Sequence, residues 1–99
     1  MGAAGERLAA WWLTERGLQI LARNLEVEGG EIDLVADDGS ARVVVEVRTT
    51  TGIGDPIDSV DSRKRGHVSR LAASIGASRV DFIGVAIGDA GLEVHWLPG

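Results

Sequence analysis

Gly30-Glu31-Ile32-Asp33-Leu34, followed by Val45-Glu46-Val47-Arg48, is the stretch whose reading decides the fold. Ile32 and Leu34 alternate with Glu31 and Asp33, and Val43, Val45 and Val47 alternate with Glu46 and Arg48. A period of two marks half-buried strands, because successive side chains leave a strand on opposite faces. Between the two runs, Asp37-Asp38-Gly39-Ser40 carries the residues of a hairpin turn. A two-residue loop at Asp38-Gly39 would pair Asp33 with Val44 and Glu31 with Glu46. A four-residue loop keeps the same parity, whereas a three-residue loop mixes charge into the apolar set. Either even register predicts Glu31, Asp33, Glu46 and Arg48 on one face. Ile32, Leu34, Val43, Val45 and Val47 then form the other, wholly apolar face.

Like charges facing each other across a strand pair destabilise a sheet. A divalent cation would offset that cost, and Mg²⁺ takes one or two carboxylates together with waters and phosphate oxygens. A solvated polar sheet face is the other reading of the same pattern.

Asp33 followed by Glu46-Val47-Arg48 resembles the D…(D/E)-x-K signature of the PD-(D/E)xK nuclease superfamily, the restriction-endonuclease-like fold. Gly5-Glu6-Arg7-Leu8-Ala9, Ala22-Arg23-Asn24, Gly30-Glu31-Ile32-Asp33-Leu34 and Val45-Glu46-Val47-Arg48-Thr49 come in the order seen in the YraN-like bacterial family. Arg63-Lys64-Arg65 and Arg79-Val80-Asp81 match its later blocks, so the resemblance covers nearly the whole chain. That family is nuclease-like and similar to Holliday-junction resolvases. The resemblance implies a Mg²⁺- or Mn²⁺-dependent endonuclease that hydrolyses phosphodiester bonds of DNA, branched or otherwise structured DNA included, in repair or recombination. It also implies a metal held by Asp33, Glu46, the Val47 carbonyl and Glu6, because related nucleases place a third acidic ligand on the first helix. Junction-cleaving relatives work as dimers, which implies a homodimer.

The chain departs from the family at Arg48, which stands where the family has lysine. A guanidinium donates hydrogen bonds but stays protonated, so it can clamp a phosphate and cannot serve as a base. Lys64 would supply the missing ammonium if its helix aims it at the cluster. A non-catalytic nuclease-fold protein that binds nucleic acid or a protein partner is the alternative reading.

Ninety-nine residues suit a single domain, residues 1–99, with one core. Hydrophobic content of 44% and charged content of 25% are those of an ordinary globular domain. No apolar run reaches membrane-spanning length, and no basic segment followed by an apolar core marks a signal peptide. The lack of cysteine excludes disulfides and thiolate metal sites and fits a cytoplasmic setting. A net charge of −5 disfavours broad nucleic-acid binding, so any DNA contact must be weak, salt-dependent and confined to a local basic cluster.

Ala3 to Arg16 reads as a helix ended by Gly17, with Leu8, Ala9, Trp12 and Leu13 on its apolar face. Glu6 lies at the edge of that face, where it either complements the helix dipole or reaches into a site. Trp12 reads as core and Trp11 as exposed. Leu18 to Val27 reads as the first strand, and Thr49 to Pro56 as a loop. Asp61 to Ile75 reads as a second helix, capped by Asp58 or Asp61 and stopped by Gly76. Val60, Lys64, Val68, Leu71 and Ile75 line one stripe, while Arg63, His67 and Arg70 share the solvent-facing side. Residues 61–70 hold four Lys or Arg against one Asp. Cations near a helix N-terminus oppose its dipole, so Arg63, Arg65, His67 and Arg70 are candidate phosphate contacts, or else a solvated face. Arg79 to Ile87 and Leu92 to Leu97 read as strands about a Gly88–Gly91 turn, with Asp81 a paired structural residue. The order α-β-β-β-α-β-β predicts an α/β fold, a mixed sheet with helices packed on it.

Overall fold

The chain folds in the predicted order: α1 (Gly2–Glu15), β1 (Gln19–Val27), β2 (Gly30–Asp37), β3 (Arg42–Thr51), α2 (Ser62–Ser74), β4 (Arg79–Gly88) and β5 (Gly91–Leu97). This computed structural model describes residues 2–51, 62–89 and 91–99, with side chains for 4–49, 65–89 and 91–99. The capping expected of Asp58 or Asp61 therefore lies outside the described residues. Among them, no helix is long and apolar enough to cross a membrane.

The five strands form one sheet in the order β1-β2-β3-β4-β5. All neighbours run antiparallel except β3 and β4, which are parallel and joined through α2. A parallel pair needs such a crossover, and it buries its strands on both faces. The near-continuous apolar runs Val43-Val44-Val45 and Phe82 to Ala86 are the consequence, and all are buried.

Each helix covers one face. Ala9, Ala10 and Leu13 of α1 pack with Leu34, Ala36, Val43, Val45, Ile83 and Val85. Val68, Leu71 and Ala72 of α2 pack with Ile32, Val35 and Val44. The helices end as their glycines dictate. Gly17 takes φ 92, and its N–H and that of Leu18 donate to the carbonyls of Thr14 and Leu13 at 3.1 Å each.

The hairpin adopts the four-residue alternative. Asp37 pairs with Arg42 and Leu34 with Val45, leaving Asp38 to Ala41 as the loop. Asp38 builds that loop: its carboxylate accepts from the Ser40 N–H at 2.9 Å and the Ala41 N–H at 2.7 Å. These bonds, helped by nearby Arg79, hold its carboxyl below the ordinary range.

Two expectations need correction. Thr49 to Thr51 do not begin a loop; they continue β3, paired with Val85 to Ile87 of β4. Threonine is β-branched and suits a strand once a partner is present. Nor is there a single apolar face opposed to a single charged one. Leu34 packs under α1, whereas Ile32 packs under α2. Because Val44 faces α2 and Val43, Val45 and Val47 face α1, alternation carries Glu46 and Arg48 to the α2 side.

Asp81, fully buried on β4, is the structural residue expected. It accepts Arg79 Nε at 2.9 Å and Nη2 at 3.1 Å, Trp96 Nε1 at 2.9 Å and the Gly99 N–H at 2.9 Å. Arg79 Nη1 continues to Asp38 Oδ2 at 2.8 Å, so this network ties β4 and β5 to the hairpin loop. Trp96 also meets Trp12 edge-on at 5.6 Å between ring centroids, while Trp11 is 58% exposed. Removing the carboxylate would strand four N–H donors, two of them on the charged Arg79. Asp81→Ala is expected to cost about 3–5 kcal/mol in urea denaturation; a loss below about 1 kcal/mol would mean that water already satisfies this network.

Candidate metal centre

The site lies where β2 and β3 part. Their ladder ends at Leu34–Val45. One residue further along β2, the Asp33 side chain replaces the backbone partner: its Oδ2 accepts the Val47 N–H at 2.8 Å. Asp33 is thus anchored to the peptide that joins Glu46 to Val47.

The first turn of α1 crosses β3 at this point. A Cβ on Gly5 would collide with the Thr49 hydroxyl, so glycine is what lets the helix come this close. That approach delivers the next residue, Glu6, to the parting strands. Glu6, Glu31 and Asp33 each bring a carboxylate oxygen within 4.8 Å of the other two. Glu31 was legible as part of the charged set, but only the fold places it in this trio.

The electrostatics follow from crowding. Partial burial pushes the Glu6 carboxyl up, and the negative charges of Asp33 and then Glu31 add to that rise. A hydrogen bond from the Asn24 side chain acts in the opposite direction by favouring the carboxylate. Three clustered carboxylates offer the hard oxygen ligands that Mg²⁺ and Mn²⁺ select.

The other predicted residues are distributed around this trio. Glu46 is 6% exposed and does not belong to it; β3 alternation puts it beside Phe82, its β4 partner, on the α2 side. Arg48 follows on the same side of β3. Arg65 is exposed on α2 with its guanidinium 5.2 Å from the Phe82 ring centroid. Arg70 is exposed, but His67 is half-buried, packed toward Gly30, where a Cβ would come 3.2 Å from its Nε2. Arg63 and Lys64 belong to α2, and their side chains lie outside the described residues.

The family model described as "Uncharacterised protein family UPF0102" matches residues 5–85. The chain belongs to the UPF0102 family. A UPF0102 protein of Leifsonia xyli subsp. xyli is 39% identical over 100% of this chain and 93% of its own length. Another, from Symbiobacterium thermophilum, is 45% identical over 74% of this chain and 64% of its own. Among solved structures, Hjc, a Holliday junction resolvase of the archaeal hyperthermophile Archaeoglobus fulgidus, superposes with a TM-score of 0.63 at 16% identity. The match covers 98% of this chain and 71% of that one. The likeness establishes the restriction-endonuclease-like fold for this UPF0102 chain.

The raised Glu6 carboxyl sets a pH signature. Below its ordinary value of 4.5, Glu6 is protonated both folded and unfolded and costs nothing. As pH rises past that value the unfolded chain ionises first, so the metal-free fold loses stability until the folded Glu6 has ionised as well. Glu6→Gln is therefore expected to stabilise the metal-free protein at neutral pH, by on the order of 1 kcal/mol after solvent screening. The gain should vanish below pH 4.5. Melting curves across pH check this, and a variant that melts earlier at neutral pH would mean that Glu6 holds a stabilising bond.

Proposed function

We propose that this protein is a divalent-metal-dependent endonuclease acting on DNA, with branched or otherwise structured DNA as its substrate class. The observation that carries the reading is the convergence of Glu6, Glu31 and Asp33 at the parting of β2 and β3, in a fold shared with a junction resolvase. Mg²⁺ or Mn²⁺ bound there would polarise the phosphodiester and make water a stronger nucleophile. Glu6 and Asp33 are the primary ligands in this reading. The Val47 N–H orients Asp33 through one oxygen and leaves the other to coordinate. The Val47 carbonyl and Glu46 are the ligands that the family resemblance adds from β3; Val47 adjoins Asp33 through its N–H, whereas Glu46, on the α2 side, would have to reach the ion across the parting of the strands.

Arg48 has the role of a phosphate clamp: its fork donates to phosphate oxygens and it neither takes nor gives up a proton. Lys64, four residues before inward-facing Val68, is the ammonium proposed to compensate. Arg63, Arg65, His67 and Arg70 on α2 form the proposed DNA contact, with exposed Arg65 and Arg70 as its accessible part. The chain as a whole is acidic, so affinity would be weak and salt-dependent. A homodimer matches the two-fold character of a junction, and a cysteine-free chain suits the cytoplasm.

The arginine at the family's lysine position favours a second reading, a nuclease fold retained for binding alone. Cleavage assays on four-way junction and duplex DNA with Mg²⁺ or Mn²⁺ separate the two. The parent is expected to cut. Glu6→Gln and Asp33→Asn should each lower the rate by about 100-fold or more, since residues that merely support metal ligands already cost 10–100-fold. Arg48→Lys should raise it. Parent and Arg48→Lys proteins that leave both substrates intact with either metal would leave the binding reading in possession.

DNA affinity measured against salt tests the α2 face. Arg65→Ala and Arg70→Ala should each flatten the slope of log K against log salt by about 1, the loss of one phosphate contact. Unchanged slopes would move the DNA to another surface.

A further inference from the structure

Asn24 is the one non-glycine residue with positive φ among the described residues, at 50°. It lies inside β1 and not in a turn. Arg23 pairs with Leu34 and Leu25 with Ile32, so the rung between them sets Asn24 opposite Asp33. Left-handed backbone is disfavoured for residues with a side chain, and asparagine is among the few that tolerate it.

Both strands turn over at this rung. On β1, Ala22 and Leu25 pack under α2, although residues three apart should face opposite ways. On β2, Ile32 and Val35 do the same. Unbroken alternation from Val35 would send Asp33 and Glu31 to the α2 side. The reversal sends them to the α1 side, where Glu6 stands with them. The Asn24 side chain itself reaches the Glu6 carboxylate.

We propose that Asn24 is a positioning residue for the carboxylate centre: its left-handed backbone turns the β1–β2 ladder over so that Asp33 and Glu31 meet Glu6, and its carboxamide holds Glu6 in place. The assignment rests on the metal-site reading above. It separates two contributions that glycine can tell apart. Glycine accepts φ 50 at no steric cost and so preserves the reversal, but it removes the carboxamide.

The test uses the full chain and Mn²⁺ alone, with affinity from calorimetric titration and melting temperature with and without the metal. Asn24→Gly should melt no earlier than the parent without metal, yet bind Mn²⁺ about tenfold more weakly, the scale of lost ligand support. In a Glu6→Gln background, Asn24→Gly should weaken Mn²⁺ binding no further, because the carboxamide acts through Glu6. Asn24→Asp, which also accepts the left-handed backbone but cannot donate to Glu6, should weaken Mn²⁺ binding less in the Glu6→Gln background than in the parent. Asn24→Gly binding Mn²⁺ as tightly as a parent that does bind would reduce the residue to a backbone role and overturn the assignment. So would additive losses in the double variant. A parent that takes up no Mn²⁺ overturns the metal-site reading itself, and this assignment with it.

Discussion

The hydrogen bond from the Val47 N–H to Asp33 Oδ2 holds the point on which the molecule turns. β2 and β3 stop pairing at Leu34–Val45, and without another partner the next amide of β3 would be left open beside the core. Asp33 fills that position with its side chain. The same act fixes a carboxylate at the mouth of the parting strands, under the first turn of α1. Gly5 then completes the arrangement by letting α1 approach Thr49, which brings in Glu6. Structural satisfaction of one amide and assembly of an acidic centre are thus a single event.

The rest of the fold gives this fork a rigid base. β3 and β4 are parallel, buried on both faces, and covered by α1 on one side and α2 on the other. At the far end, Asp81, Arg79, Asp38 and Trp96 bind β4, β5 and the hairpin loop together. Buried polar networks of this kind are rigid when every member is satisfied, and Asp81 accepts four bonds. The two ends of the sheet differ in kind: at one, a carboxylate is surrounded by donors; at the other, three carboxylates face each other with few. The first arrangement stabilises the chain alone, whereas the second leaves like charges crowded together, a cost that a bound cation would offset.

In this fold the acidic cluster and the basic segment are separate features. Three of the fifteen side-chain carboxylates meet at one cluster, and the positive charge of the α2 segment lies elsewhere on the chain. Arg48 follows Glu46 on the α2 side of β3, and a guanidinium there keeps the charge of a lysine without its proton exchange.

Sequence by itself determined the element order, the even parity of the β2–β3 hairpin, the helix stops at Gly17 and Gly76, the paired state of Asp81 and the family. These are readable because they depend on local signals: apolar period, glycine at left-handed positions, and motif order. Tertiary structure decided which carboxylates meet. Period-two alternation placed Glu31, Asp33, Glu46 and Arg48 on one face, but Asn24 reverses the ladder and sends Glu31 and Asp33 to the α1 side, away from Glu46. A single asparagine in a strand carries no local mark of a left-handed backbone, so the reversal was invisible. Thr49 to Thr51 likewise joined β3 only because β4 lies beside them, and His67 turned inward only because Gly30 leaves it room. Local pattern sets what each strand can bury; the partners that cover it, distant in sequence, set which way each side chain faces.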